Sequence, residues 1–284
     1  MKSKQVIGID IGGSHVTACK ADLSSMKLIA DTTCRNVVDP GGTPEDILDV
    51  LSLTIRESLG QEANNDLLLG IAMPGPFDYE QGISYITGLS KYERLYRLNV
   101  KVLLAERLGI EPRAIRMMND ATAFLQGEIC DNPSLLQQRV AGITLGTGLG
   151  SAWYQDGQLH DGDLYRLPYL SGMAEDYIST RWFMQQYKGA ISGVKELAAK
   201  YSHEPQVYEL FKTFGEHLAA ILLQKFPPGS RDAIIIGGNI ANAWPLFIPH
   251  TAAVFEQHGV SMNLLPAGKG EQAPVLGSAS LWKE

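Results

Sequence analysis

Apolar runs that stop at glycine recur along the chain and mark its predicted strands. Residues 6–11 form the first run, which ends at a pair of glycines and is followed by a strand-forming stretch, residues 16–20. Residues 141–145 lead in the same way through a glycine turn to residues 150–154. This pattern predicts strand, glycine turn and strand once in each half of the chain.

Two further apolar runs end at turn-forming residues. Residues 67–73 stop at Pro74-Gly75-Pro76, and residues 232–236 run into Gly237-Gly238-Asn239. Proline and glycine interrupt regular structure, so each run is predicted to be a complete strand. The later strand delivers a third glycine turn.

Helices are predicted where the apolar spacing changes to that of a helix. Thr43 and Pro44 are typical of a capped helix start and Gly60 of a helix end, and the apolar face between them is Ile47, Leu51, Ile55 and Leu59. A longer amphipathic helix is predicted before Pro227, with Val207, Leu210, Phe211, Phe214, Leu218, Ile221 and Leu222 on its apolar face. We expect this second helix to pack within one lobe.

The order of strands and helices predicts an α/β protein made of two similar lobes. No low-complexity linker marks a domain boundary, so the duplicated strand pattern has to define it. We place the crossover just before Asn119, which gives a first lobe of residues 1–118 plus 272–284 and a second lobe of residues 119–271. A chain of 284 residues is long enough for two such lobes, each with a core of its own.

Charge and cysteine content narrow the class of protein. A net charge of -7 weighs against a broad nucleic-acid surface, because binding many phosphates requires clustered lysine and arginine. The three cysteines, Cys19, Cys34 and Cys130, lie far apart and form no zinc-ligand spacing. Reduced thiols are typical of the cytoplasm. The sequence also has no apolar run of the roughly 20 residues that a membrane span requires, so we predict a cytoplasmic protein outside the membrane.

The glycine turns are candidate phosphate-binding sites. A glycine turn brings backbone N–H groups close to phosphate oxygens without a Cβ in the way. Asp10 stands just before Gly12-Gly13-Ser14, where its carboxylate could hold Mg²⁺ through water while the turn faces phosphate. For any one turn an ordinary hairpin is the simpler interpretation, and three turns in this order favour nucleotide binding. A dinucleotide-binding turn is disfavoured because a strand, and not a helix, follows the first turn.

These segments together resemble the ROK family of sugar kinases and repressors (repressor, open reading frame, kinase). The resemblance covers nearly the whole chain. Its motifs are Gly8-Ile9-Asp10-Ile11-Gly12-Gly13-Ser14, residues 70–78 around Pro74-Gly75-Pro76, Asn119-Asp120-Ala121 with Gly127-Glu128, residues 142–150 around Gly146-Thr147-Gly148, Gly237-Gly238-Asn239, and residues 273–279.

The resemblance implies a two-lobed, RNase H-like fold of the actin-like ATPase type, with ATP and a sugar held between the lobes. The first two glycine turns would bind phosphates, and Gly237-Gly238-Asn239 would bind adenosine. Asp120 would accept the proton of the sugar hydroxyl, while Asn119, Pro74 and Gly75 would contact the sugar. Taken alone, Asp120 would be better explained as the N-cap of a helix over residues 121–128, and the accompanying motifs favour the catalytic role.

Glu175 is a second acidic candidate. The segment Glu175-Asp176-Tyr177-Ile178-Ser179 resembles a family segment whose glutamate contacts the sugar. The alternative is a solvated residue in the first turn of a helix.

The chain also departs from the family pattern. A Gly-Glu-x-Gly-His segment and a cysteine-rich zinc loop are missing, so we predict no structural zinc. The best alignment places Asp163 and Arg166 at the family's Glu and His positions, and Gly88-Leu89 at its sugar-binding Asn-Leu. Arg166 would then contribute a permanent cation to sugar recognition. The alternative is that Arg166 and Asp163 pair with each other near the surface.

Two other functional classes remain open. A repressor of the same family would need an added helix-turn-helix before the first strand, and the chain begins directly with that strand. A non-catalytic sugar-sensing protein is favoured by the altered sugar contacts and disfavoured by Asp10, Asp120 and the three glycine turns. Family members often form dimers, so a homodimer is possible.

Overall fold

A computed structural model describes residues 5–61, 66–88 and 91–283 of the protein. The chain forms two compact units, the first made of the residues up to Pro133 together with those from Glu271 onward, and the second of Ser134–Gly270. We refer to them as unit 1 and unit 2.

Each unit is built around one mixed sheet. The strands of the unit 1 sheet are β1 (Gln5–Ile11), β2 (His15–Asp22), β3 (Lys27–Leu28), β4 (Cys34–Val37), β5 (Leu67–Met73) and β8 (Ile115–Asn119), and β6 (Phe77–Asp78) and β7 (Ile83–Ser84) form a separate hairpin. Those of the unit 2 sheet are β9 (Val140–Leu145), β10 (Leu149–Gln155), β11 (Gln158–Asp161), β14 (Ala233–Gly237) and β15 (Leu264–Pro266), and β12 (Pro168–Tyr169) pairs with β13 (Gly172–Met173).

Five strands of each sheet share one topology. In unit 1 the order is β3-β2-β1-β5-β8, with β1 antiparallel to β2 and parallel to β5, and β5 parallel to β8. In unit 2 the order is β11-β10-β9-β14-β15, with the same alternation of antiparallel and parallel neighbours. The predicted repetition of strand, glycine turn and strand is confirmed, and it extends to five strands of each sheet, while the sixth strand of unit 1, β4, pairs with β2.

The helices of the described ranges are α1 (Pro44–Leu59), α2 (Val100–Leu108), α3 (Asp120–Asp131), α4 (Thr180–Gln186), α5 (Val194–Lys200), α6 (Pro205–Lys225), α7 (Trp244–Gln257) and α8 (Ala273–Ala279). Helix α1 begins with a capping box, in which Thr43 and Asp46 exchange side-chain to backbone hydrogen bonds, and ends at Gly60 as predicted. Helix α6 buries the predicted apolar face in the aromatic core of unit 2. No helix of the described ranges has the length and apolar character needed to cross a membrane.

Helix α8 packs unusually close to its neighbours because three glycines face it and a fourth, Gly277, lies within the helix. A Cβ built on Gly8 or Gly70 would lie 1.9 Å from a backbone oxygen of α8. The same distance separates a Cβ on Gly127 from the Ala273 carbonyl oxygen, and a Cβ on Gly277 from the Ala123 carbonyl oxygen. Side chains are therefore excluded where α8 crosses β1, β5 and α3.

This packing corrects the predicted boundary between the lobes. Helix α3 begins at Asp120 and lies against α8, so it belongs to unit 1. Unit 1 accordingly continues to Pro133, fifteen residues beyond the predicted end at residue 118. The duplicated strand pattern could not reveal this, because the boundary depends on a close helix crossing between distant segments. The predicted return of residues 273–279 to the first lobe is confirmed.

Candidate active site

The predicted catalytic residues of unit 1 lie at one edge of its sheet. Strands β1, β5 and β8 are parallel neighbours, with Asp10 aligned to Ala72 and Met73 aligned to Asn119. The segments that follow these strands therefore emerge at the same edge. Ligands of open α/β sheets bind at this carboxyl edge.

Asp10 and Asp120 influence each other electrostatically at this edge. Burial, and next to it the negative charge of Asp120, raise the pKa of Asp10 to about 7. Arg35 opposes this rise in pKa and Glu271 adds to it, and these two residues form an ion pair. Two mutually repelling carboxylates are an arrangement that a bound divalent cation would stabilise. Arg35 and Glu271 were not predicted, since neither lies in a motif.

The start of α3 leaves part of the Asp120 carboxylate available. Asn119 is the N-cap, and its Oδ1 accepts hydrogen bonds from the N–H groups of Ala121 at 2.9 Å and Thr122 at 3.1 Å. Asp120 is the first helical residue, and its Oδ1 accepts from the Ala121 N–H at 2.8 Å. Within the described part of the chain, Asp120 Oδ2 accepts no hydrogen bond. The capping role considered for Asp120 therefore belongs to Asn119.

Tyr79 connects two of the strand ends. Asn119 Nδ2 donates to the Tyr79 hydroxyl at 3.2 Å, and that hydroxyl donates to the Met73 carbonyl oxygen at 3.0 Å. A Cβ on Gly75 would lie 3.0 Å from the same hydroxyl, so the predicted sugar-contact segment is adjacent to Asn119. Sequence reasoning missed Tyr79, because a lone tyrosine carries no motif.

The first glycine turn is a candidate site for anion binding. Gly12 N–H donates to the His15 carbonyl oxygen at 2.9 Å and closes the turn. Among the described residues, the N–H groups of Gly13 and Ser14 meet no protein acceptor. Such N–H groups, held by a tight turn, suit phosphate oxygens.

The second and third glycine turns lie side by side in unit 2. Gly146 N–H donates to the Gly148 carbonyl oxygen at 3.0 Å, and Gly237 is aligned with Thr144 in the neighbouring strand. Gly238 has a φ of +86°, and a Cβ there would lie 2.4 Å from the Leu145 carbonyl oxygen. The turn at Gly237-Gly238-Asn239 therefore requires glycine to approach the end of β9.

Glu175 lies against the second turn. Its Oε2 accepts a hydrogen bond from the Leu149 N–H at 2.9 Å, and Arg181 donates to its Oε1 at 3.3 Å. A Cβ on Gly148 would come within 2.7 Å of Glu175 Oε2. The predicted sugar contact of Glu175 stays a prediction, but the carboxylate also supports the backbone of a phosphate turn.

Asp163 and Arg166 pair with each other, as the alternative interpretation held. The Arg166 guanidinium donates to the Asp163 carboxylate, and the two side chains are 60% and 43% exposed. Exposed pairs of this kind contribute little to stability. The sugar role of Arg166 stays a prediction. Gly88-Leu89 was aligned with the family's Asn-Leu, and Leu89 lies outside the described residues.

Comparison with known proteins decides the family. The ROK family model matches residues 6–164, which is more than half of the chain. The chain belongs to the ROK family. This membership confirms the resemblance that the glycine turns and the Asn119-Asp120 segment indicated.

Individual known proteins match the chain along its length. An N-acetyl-D-glucosamine kinase of Mannheimia succiniciproducens is 25% identical, with 97% of this chain and 98% of that protein covered. A ROK glucokinase of Streptomyces griseus, solved with glucose and AMPPNP, has a TM-score of 0.76 at 20% identity, with 98% of each chain covered. A putative N-acetylmannosamine kinase of Listeria monocytogenes has a TM-score of 0.77 at 18% identity, with 97% of each covered. The predicted fold of the actin-like ATPase type is confirmed.

Proposed function

We propose that this protein is an ATP-dependent sugar kinase, which transfers the γ-phosphoryl group of ATP to a hydroxyl of a hexose or hexose derivative. The names of its relatives support the reaction class. The observation that carries the proposal for this chain is the electrostatic effect of Asp120 on Asp10 at the carboxyl edge of unit 1, beside a glycine turn whose Gly13 and Ser14 N–H groups meet no acceptor among the described residues.

Asp120 is suited to act as the general base. A sugar hydroxyl is a poor nucleophile until a positioned carboxylate accepts its proton. Asp120 Oδ1 is held by the Ala121 N–H, which fixes the carboxylate and leaves Oδ2 to accept that proton. The hydroxyl oxygen then bonds to the γ-phosphorus as the bond to the β-phosphate oxygen breaks, and ADP leaves.

Phosphate binding falls to the backbone of the glycine turns. The N–H groups of Gly13 and Ser14 in unit 1, and those of Thr147 and Gly148 in unit 2, are the proposed donors. Asp10 fits a water-mediated Mg²⁺ site, because a cation would offset the charge that Asp120 places beside it. Bound Mg²⁺ would neutralise charge on the triphosphate.

The proposal is tested with an ADP-release assay on a sugar panel of glucose, mannose, N-acetylglucosamine, N-acetylmannosamine and a uronic acid. We expect at least one sugar to stimulate ADP release in the presence of Mg²⁺, with activity lost in EDTA. If the folded protein binds a sugar but none stimulates ADP release, the non-catalytic sugar-sensing alternative is favoured instead.

Three further expectations belong with this proposal. We propose that the protein works in the cytoplasm, that it binds no structural zinc, and that it forms a homodimer. The zinc proposal follows from the missing cysteine loop, since Cys130 is the last cysteine of the chain. Metal analysis of the purified protein and sedimentation velocity test the last two.

A further inference from the structure

The first glycine turn is tied to a buried tyrosine 80 residues away in sequence. Tyr92 is fully buried, and its hydroxyl donates to the Gly12 carbonyl oxygen at 2.6 Å. The Tyr92 backbone is itself fixed, since its N–H donates to the Pro40 carbonyl oxygen at 2.7 Å. The hydroxyl therefore meets the turn from a rigid position.

This hydrogen bond determines which way one peptide group faces. In a trans peptide the carbonyl oxygen and the next N–H point in opposite directions. Fixing the Gly12 carbonyl toward Tyr92 therefore directs the Gly13 N–H away from Tyr92, and Gly13 N–H is one of the donors that meet no protein acceptor among the described residues.

The fixed orientation is necessary because the turn is rich in glycine. Glycine adopts backbone conformations closed to other residues, so the peptide between Gly12 and Gly13 could rotate to the opposite orientation at low steric cost. A rotated peptide would present a carbonyl oxygen to a phosphate instead of an N–H, which is electrostatically unfavourable.

The chemistry of Tyr92 suits this task. Burial and the nearby charge of Asp10 raise the pKa of Tyr92, so the hydroxyl keeps its proton and remains a donor. A carbonyl oxygen can only accept, and phenylalanine in the same place would fill the same space without donating.

We propose that Tyr92 is a positioning residue for phosphoryl transfer, whose hydroxyl holds the peptide between Gly12 and Gly13 in the orientation that offers the Gly13 N–H to a phosphate of ATP. This inference rests on the proposed kinase function. Tyr92 itself would contact neither ATP nor the sugar.

The test is Tyr92→Phe, with Tyr154→Phe as the matched control. Tyr154 is also buried, and its hydroxyl donates to a backbone carbonyl oxygen, that of Leu136, in unit 2. We expect Tyr92→Phe to lower kcat/KM for ATP by about 10- to 100-fold, since a misplacement of about 1 Å at a reacting centre can cost about 100-fold. The KM for the sugar should change little, and Tyr154→Phe should keep wild-type kinetics.

A second readout is independent of turnover. In protein labelled with ¹⁵N-glycine, AMPPNP should shift the Gly13 amide resonance of the wild type, and this shift should be lost or greatly reduced in Tyr92→Phe.

The outcomes separate the two proposals. Wild-type kinetics in Tyr92→Phe, or an unchanged AMPPNP-induced shift of Gly13, would overturn the role of Tyr92 while leaving the kinase function intact. Equal loss of kcat/KM in both variants would show that removing a buried hydroxyl acts by lowering stability. That result would also overturn the role of Tyr92. If AMPPNP shifts the Gly13 resonance of the wild type but no sugar is phosphorylated, the proposed kinase function is wrong. The shift in Tyr92→Phe then still decides whether Tyr92 positions the Gly13 N–H for nucleotide binding.

Discussion

Replacement of Asp120 by asparagine separates catalysis from binding. The Asn119 cap on α3 is untouched, and an asparagine at 120 retains an Oδ1 that can accept the Ala121 N–H hydrogen bond of 2.8 Å. The fold should therefore be preserved. What disappears is the basic carboxylate, because an amide oxygen cannot take the hydroxyl proton.

The size of the expected effect follows from that single loss. A general base typically contributes about 10²- to 10⁴-fold in rate. That range corresponds to roughly 2.7–5.4 kcal/mol of transition-state stabilisation, at about 1.36 kcal/mol for each factor of ten. Binding of AMPPNP should stay near wild type or tighten, because the substitution removes a negative charge beside Asp10.

The assay measures kcat by ADP release at saturating sugar and ATP, and AMPPNP affinity by calorimetry. Asp131→Asn is the control, since it makes the same change at the exposed last residue of α3 and should keep wild-type kcat. A loss of kcat smaller than tenfold in Asp120→Asn would refute Asp120 as the base. A parallel loss of AMPPNP binding would show that the residue acts on the nucleotide instead.

Three other predictions concern neighbouring parts of the structure. Glu175→Gln should speed hydrogen exchange of the Leu149 amide, because the carboxylate that accepts its hydrogen bond of 2.9 Å is replaced by a weaker amide acceptor. Unchanged exchange would contradict the support of the second turn by Glu175. Gly277→Ala should lower the free energy of unfolding by about 1–3 kcal/mol or more, because its Cβ would lie 1.9 Å from a backbone oxygen, whereas Gly193→Ala, which meets open space, should change it far less in chemical denaturation. The folded-state pKa of Asp10, about 7, exceeds the ordinary value of 3.8, so the protonated form favours the fold, and metal-free wild type should lose stability relative to Asp10→Asn as the pH rises from about 4 to 7. Parallel pH profiles of the two proteins would contradict that pKa.

The elements of the fold were largely predictable from local sequence. Helix α1 illustrates this, because its capping box, its apolar face and its terminal Gly60 all lie within one short segment. The strand that ends at Met73 was equally well defined by a local apolar run and the following Pro74. Such features depend on near neighbours in sequence, and a single sequence displays near neighbours directly.

The supporting contacts of the site were not predictable in this way. Tyr92 meets Gly12 across 80 residues, and Glu175 meets the amide of Leu149 across 26. Neither pairing has a sequence period or a spacing rule, since each depends on how loops fold over a finished sheet. Glu175 was found only through its resemblance to a family segment, and that resemblance indicated a different partner.

The shared topology of the two units does not carry shared chemistry. Asp10 stands two residues before the first turn of unit 1, and the corresponding position before Gly146 in unit 2 is Thr144. The strand β8 is followed by Asp120, whereas its topological counterpart β15 is followed by Ala267. Both carboxylates of the proposed mechanism therefore belong to unit 1, while unit 2 repeats only the glycine turns. The glycine turns proposed to bind phosphate therefore occur in both units, whereas the carboxylates proposed to accept a proton and to hold a cation occur at these positions in unit 1.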